Sequence, residues 1–105
     1  MTDPLPPVDD AARTEIEAAV FRRMRDHLMA RTDVQNIDMM NLTGFCRNCL
    51  SRWWQDAAAG HGVTVTKDQG REIVYGEPYG DWCDKHQTEA SPDKQTAFEK
   101  NRPDH

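Results

Sequence analysis

The stretch AARTEIEAAVFRRMRDHLMA, residues 11–30, carries the clearest structural signal in the chain. Its larger apolar residues recur at every fourth position: Ile16, Val20, Met24 and Leu28. This spacing is typical of an amphipathic α-helix. Asp9 or Asp10 can cap the N-terminus, and an acidic first half followed by a basic second half complements the helix dipole. The pattern therefore predicts a helix over residues 11–30.

The rest of the chain is typical of shorter helices joined by polar turns. Thr66 and Gln69 have the spacing of a capping box, and Gly60 and Gly76 stand where helices commonly end. The further helices are predicted at about residues 36–42, 45–59, 66–75, 78–87 and 91–98. We expect an all-α fold, a small irregular (orthogonal) bundle of five or six short helices. The predicted organisation is a flexible N-terminal arm at residues 1–10, one helical domain at 11–100 and a frayed C-terminus at 101–105.

The composition indicates a globular chain outside the membrane. Hydrophobic residues make up 37% and charged residues 30% of the 105 positions, which is well short of a disordered composition. No apolar run approaches the roughly 18–20 residues that a membrane span needs, and the acidic N-terminus lacks the features of a signal peptide. Three cysteines, an odd number, favour reduced thiols over a disulfide framework. We expect a cytoplasmic protein that does not associate with membranes.

The charge is unevenly distributed along the sequence. The chain has a formal net charge of −5, but residues 21–55 hold six arginines against three aspartates. These arginines pair with the acidic flanks of the same chain, or they form a patch for an anion or an acidic partner. The overall acidity argues against a nucleic-acid partner.

The residues with the most chemical potential are Phe45-Cys46-Arg47-Asn48-Cys49. Cys46 and Cys49 could bind zinc together with a second pair at the same spacing, Cys83 and His86. Alternatively both thiols pack in the core, since on a helix they share a face with Leu50, Trp53 and Ala57. A third interpretation is redox use, because a Cys46 in the first helical turn would have a lowered pKa. A thioredoxin-like fold would require a strand before that helix, and the sequence predicts none there.

Two adjacent tryptophans follow this motif. Trp54 falls on a different helix face from Trp53, which makes Trp54 the better candidate for an interface anchor. We find no glycine-rich phosphate loop and no hydrolase or metalloprotease motif.

At these residues the sequence resembles a bacterial domain-of-unknown-function family, numbered 1244, of short proteobacterial proteins. The resemblance rests on residues 31–38 and 41–50, and continues through 71–76, Pro78-Tyr79, Trp82 and 87–92. It covers nearly the whole chain from about residue 11, and it implies a compact helical fold with no assigned activity. Relatives usually carry Lys in place of Cys83 and often an aromatic residue in place of His86, so the zinc set would be peculiar to this sequence.

Two functional hypotheses follow from the sequence. The first is a non-enzymatic helical module that binds a protein partner or itself through residues 31–54. Its candidate interaction residues are Cys46, Arg47, Asn48, Cys49 and Trp54. The alternative is a zinc- or thiol-dependent site at Cys46 and Cys49, joined by Cys83 and His86 if the metal is zinc. We expect no cofactor other than that zinc.

Overall fold

A computed structural model describes residues 3–102, and within them the chain forms six α-helices and no strand. The helices are α1 Asp10–Ala30, α2 Asn36–Thr43, α3 Arg47–Gly60, α4 Lys67–Tyr75, α5 Tyr79–His86 and α6 Pro92–Lys100. The predicted all-α class is confirmed. Residues 3–9 of the expected arm lie outside the helices. Residues 1–2 of that arm and 103–105 of the expected frayed end lie outside the described residues.

Side-chain and glycine caps explain where most helices begin and end. Asp9 accepts a hydrogen bond from the Ala12 amide at 2.7 Å, which caps α1. Thr66 and Gln69 form the predicted capping box of α4, with bonds of 2.9 and 3.1 Å. Gly76 ends α4 with a φ of +79°, a left-handed conformation that glycine adopts without steric cost.

The third helix differs from its predicted bounds at both ends. It begins at Arg47, because Cys46 has extended backbone angles and is the N-cap residue. Gly60 is the last helical residue rather than the residue that follows the helix. The chain reverses at Gly62, whose φ is +76° and whose amide donates to the Ala59 carbonyl at 3.0 Å.

The core consists of two adjoining clusters. The first is formed by buried sulfur-bearing side chains: Met39, Met40, Cys46 and Cys49. The second contains two aromatic and two aliphatic side chains: Leu50, Val74, Tyr75 and Trp82. Leu28 and Phe45 pack against both clusters, so they join the two halves of the core.

The first helix projects from this core. None of its residues is buried. In its apolar stripe, the exposed fraction of the residue surface is 53% for Ile16, 65% for Val20 and 37% for Met24. Among the four stripe residues, Leu28 packs against the core. The radius of gyration is 16.4 Å, against about 13 Å for a compact domain of this length. The predicted helix is therefore confirmed, but most of its apolar stripe has no core to cover.

Candidate functional site

The candidate site surrounds a buried charged side chain, that of Arg47, which is exposed over only 1% of its surface. One guanidinium nitrogen donates to the Val34 carbonyl at 2.8 Å and to Asn36 Oδ1 at 3.0 Å. The other donates to the carbonyls of Arg31 at 2.8 Å and Leu28 at 3.2 Å. Arg47 therefore joins the end of α1, the following loop and the start of α2.

The electrostatic surroundings explain how this charge is tolerated in the interior. The Leu28 and Arg31 carbonyls lie at the C-terminal end of α1, where the helix dipole is negative. The guanidinium carbon also lies 5.1 Å from the ring centroid of Trp82, within range of a cation–π contact. Burial nonetheless lowers the pKa of Arg47, and its Nε has no acceptor among the described residues. Its donors serve the fold, so Arg47 is not placed to bind a partner at the surface.

Asn48 belongs to a polar network on the other side of Arg47. Its Oδ1 accepts a hydrogen bond from the Tyr75 hydroxyl at 2.7 Å, and its Nδ2 donates to the Tyr79 hydroxyl at 3.4 Å. The Tyr75 hydroxyl also accepts from Asn36 Nδ2 at 3.0 Å. Burial raises the pKa of Tyr75 well above its ordinary value of 10.0. The tyrosine therefore stays neutral and acts as a hydrogen-bonding link between α2, α3 and α4.

The two cysteines of the motif lie inside the first cluster. Cys46 and Cys49 are buried, and the Cys49 sulfur lies 3.9 Å from the Met40 sulfur. Burial raises the pKa of the Cys46 thiol, with a smaller opposing effect from the amides of α3. The redox interpretation requires the opposite direction, a thiol whose pKa is lowered in the first helical turn. The position therefore favours packing.

The remaining two predicted zinc ligands lie at the second cluster. Cys83 packs against that cluster and contacts Gln87 Oε1 at 3.3 Å, while the His86 ring lies 5.4 Å from the Trp82 ring. Within residues 3–102, no group of three or more His, Cys, Asp or Glu side chains is placed to hold a metal ion. The predicted zinc site stays a sequence prediction without a ligand geometry.

Trp54 occupies a half-buried position on α3. It lines an apolar depression of about 310 Å³ together with Ala57, Ala58, His61 and Val63. Trp53, which the sequence places on the core face, is instead exposed over 41% of its surface and stacks on Phe45 with the rings 5.9 Å apart. Trp54 therefore lies in a partly exposed, apolar position of the kind that an interface anchor needs.

Two further surface features were not predicted as sites. The first is the exposed stripe of Ile16, Val20 and Met24, whose residues were predicted as a helix face and not as a docking surface. The second is a groove of about 680 Å³ between α3 and α4, which carries Arg52, Lys67 and Arg71. The four-residue spacing of Lys67 and Arg71 indicates that both lie on one face of α4. Their proximity to Arg52, however, depends on the packing of α4 against α3.

A smaller groove of about 340 Å³ brings Cys46 and Asn48 together with Tyr79 and Phe98. Within residues 3–102, no helix combines the length and the apolar character that crossing a membrane requires.

Comparison with known proteins identifies the family of the chain. A family model described as "Protein of unknown function (DUF1244)" matches residues 34–100. No curated protein matches the chain. The matched segment contains helices α2 to α6 and Arg47, but it begins after α1 and after the Leu28 and Arg31 carbonyls that Arg47 binds.

Proposed function

Because the chain belongs to the DUF1244 family, which has no assigned activity, we propose from its own structure that it is a helical interaction module that pairs with a second copy of itself through α1. One observation carries this proposal. A 21-residue helix without a buried residue exposes Ile16, Val20 and Met24 along one face. The partner covers this stripe.

The stability of α1 depends on covering its apolar face. Isolated helices shorter than about 12–15 residues are marginal in water, and most helical stability in proteins comes from packing an apolar face. The first four turns of α1 have no such packing, since the stripe residues there are solvent-exposed. A stripe of apolar side chains bordered by charges is also what interaction surfaces present to their partners. Burial against a partner stabilises α1 and removes the stripe from water.

The charges of α1 favour a second copy in antiparallel orientation. Residues 9–20 hold four carboxylates against one arginine, and residues 21–31 hold four arginines against one aspartate. The two halves therefore carry equal and opposite net charge. In an antiparallel pair, the acidic half of one helix lies beside the basic half of the other, as the helix dipoles also favour. A two-fold axis then makes the same surface serve both copies.

A register centred on Val20 makes this pairing specific. Positions at equal distances from the centre face each other, so Ile16 lies opposite Met24 of the second copy. Glu17 and Arg23 stand three residues before and three residues after Val20, so they border the apolar stripe on opposite sides. Both Glu17 and Arg23 are exposed, and neither takes part in an ion pair within residues 3–102. In this register the acidic half of one copy brings the carboxylate of Glu17 beside the basic half of the other, next to the apolar seam.

The remaining candidate residues support this role from the interior. Arg47 fixes the direction in which α1 leaves the core, because it binds the Leu28 and Arg31 carbonyls at the base of the helix. Cys46 and Cys49 pack beneath the same junction. We also propose a cytoplasmic location, since all three cysteines are free thiols, which a reducing compartment maintains.

The test is the mass of the protein in solution, measured by sedimentation equilibrium over a range of concentrations. We expect the wild type to be a dimer and Val20→Asp to be a monomer, because an aspartate at the centre of the seam faces its own copy. Leu42→Asp is the matched control, since Leu42 is an exposed apolar residue on α2. It should remain a dimer.

The antiparallel orientation of the two α1 helices is tested by changing the charge of Glu17. Glu17→Arg should weaken the dimer about tenfold or more, because it puts positive charge in the acidic half, which lies beside the basic half of the second copy. Glu17→Gln, which removes this charge without reversing it, should weaken the dimer less. A wild-type monomer at high concentration would refute the proposal. Dissociation by Trp54→Ala, with no effect of Val20→Asp, would instead place the interface at the apolar depression on α3.

A further inference from the structure

The groove between α3 and α4 has a charge opposite to that of the protein as a whole. Three cationic side chains, Arg52, Lys67 and Arg71, line its wall against one carboxylate, Asp56. The chain overall has a net charge of −5. None of the three cations forms an ion pair within the described part of the chain. The groove is therefore a local concentration of positive charge available to an anion.

The packing of α4 on α3 builds this cluster. The two helices approach closely at Gly70, where a Cβ atom would lie 3.0 Å from the Ser51 carbonyl oxygen. Because of this contact, Arg71 reaches the same groove as Arg52 on the facing helix. Lys67 is the first residue of α4, so the positive end of that helix dipole also lies at the groove.

Arg71 is held in a defined orientation. Its guanidinium carbon lies 4.1 Å from the ring centroid of Tyr79, which fixes one face of the guanidinium against the ring. The Tyr79 hydroxyl is in turn bound by Asn48, another residue of the groove wall. A guanidinium fixed through one face keeps its N–H edge for planar acceptors such as a carboxylate or a phosphate.

The groove also has an apolar part. Cys49, Ala59 and Val65 line it beside the charged residues, and its volume of about 680 Å³ falls within the range of small-molecule sites, roughly 300–1,000 Å³. We propose that this groove binds a small organic anion, a ligand with a carboxylate or phosphate head and an apolar body. Arg52, Lys67 and Arg71 bind the head, and the apolar wall accepts the body. This site is separate from the α1 surface, so it does not depend on self-association.

The experiment is an NMR titration of the ¹⁵N-labelled full chain with phenyl phosphate, benzoate and inorganic phosphate at low ionic strength. We expect saturable shifts of the amides at residues 48–56 and 64–71 with phenyl phosphate or benzoate, and weaker binding of inorganic phosphate. The tighter of the two aromatic anions identifies the head group. Added salt should weaken binding, because the contact is between charges near the surface.

Variants decide whether the cations are responsible. The double variant Arg52→Gln with Lys67→Gln should bind at least about tenfold more weakly, while Lys100→Gln, which removes an exposed cation on α6 outside the groove, should bind like the wild type. Both Arg52 and Lys67 are exposed, so the fold tolerates their replacement, and the dispersion of the spectrum confirms it. The proposal is refuted by shifts that do not saturate, by shifts outside the groove, or by equal affinity of the double variant. Equal binding of inorganic phosphate and phenyl phosphate would overturn the role of the apolar wall.

Discussion

Two regions of the molecule reverse the usual distribution of apolar and charged residues. One is the projecting half of α1, and the other is the Arg47 junction, where the guanidinium binds backbone carbonyls at the base of that helix. On α1, Ile16 and Val20 are exposed over more than half of their surface, although their spacing is that of a core-facing stripe. At the junction, Arg47 is almost completely buried although it carries a full charge. The two regions meet at the Leu28 and Arg31 carbonyls, which Arg47 binds.

The difference shows that periodicity and burial are separate properties. A four-residue repeat of apolar side chains predicts a helix, but whether the helix is covered depends on the length of the core beneath it. The core ends near Leu28, and the stripe continues for three more turns beyond it. Conversely, a charge is accepted in the interior where backbone carbonyls and an aromatic ring solvate it, as they do around Arg47.

The largest expected effect comes from removing the buried charge. Arg47→Met should lower the free energy of unfolding by about 3–5 kcal/mol, because the carbonyls of Leu28, Arg31 and Val34 lose their donors. Urea unfolding followed by tryptophan fluorescence measures this loss. Arg47→Lys, which keeps the charge but lacks the forked guanidinium, should recover only part of it. A loss below about 1 kcal/mol would mean that Arg47 does not hold the junction together.

The second effect is a loss of stability in alkali. Burial raises the pKa values of Cys46 and Tyr75 above their ordinary values of 9.0 and 10.0. As the pH rises, the unfolded chain therefore releases these protons before the folded chain does. The contribution of the two groups to the free energy of unfolding is complete below about pH 9 and is lost above it. Between about pH 9 and 11 the free energy of unfolding should fall by up to about 1.4 kcal/mol per pH unit for each proton. Urea unfolding at several pH values measures the slope, which Cys46→Ala should reduce just above pH 9. An unchanged stability up to pH 11 would contradict the prediction.

A smaller effect is expected at the polar network beside Arg47. Tyr75→Phe removes the hydroxyl that donates to Asn48 and accepts from Asn36, which should lower the free energy of unfolding by about 1–2 kcal/mol. Tyr79→Phe is the matched control, because the bond between its hydroxyl and Asn48 is longer, at 3.4 Å. Thermal unfolding should rank the first substitution as the more damaging. The reverse ranking would move the centre of the network to Tyr79.

The smallest effect is expected on the projecting helix. Ile16→Ser should change the free energy of unfolding of the monomer by less than about 0.5 kcal/mol, because the side chain has no core contact to lose. Leu28→Ala, three turns along the same stripe, should cost about 2 kcal/mol or more, since Leu28 packs against both clusters. Unfolding is measured in the monomeric Val20→Asp background. Equal effects of the two substitutions would show that α1 is packed along its whole length.

Much of the local structure was accessible from the sequence. Asp9, Thr66 with Gln69, and Gly76 act as caps in the structure as their identities predict, because capping depends on neighbours within a few residues. The burial of Cys46 and Cys49 was one of the alternatives that their helical spacing left open. These features are local, and local chemistry determines them.

The candidate sites depended on contacts that the sequence does not show. Arg47 binds carbonyls 16 and 19 residues before it, and carbonyls are present at every residue, so no residue type indicates the partner. The sequence hypothesis assigned Arg47 directed hydrogen bonds to a partner, whereas in the structure it makes these bonds within the fold. The groove needs Gly70 to bring α4 against Ser51, and a single glycine within a helix does not indicate such a contact.

The sulfur-rich cluster makes one half of the interior chemically vulnerable. Its four buried members are two methionines and two cysteines, which are polarisable side chains that fill space without a rigid shape. Oxidation of Met40 to the sulfoxide would place a strongly polar oxygen beside the Cys49 sulfur, which is a poor hydrogen-bond donor. Because the Met39 sulfur of the same cluster lies 3.6 Å from the Arg47 guanidinium, repacking of this cluster would loosen the base of α1. Sulfoxide formation inside this cluster would therefore appear as a loss of helix anchorage.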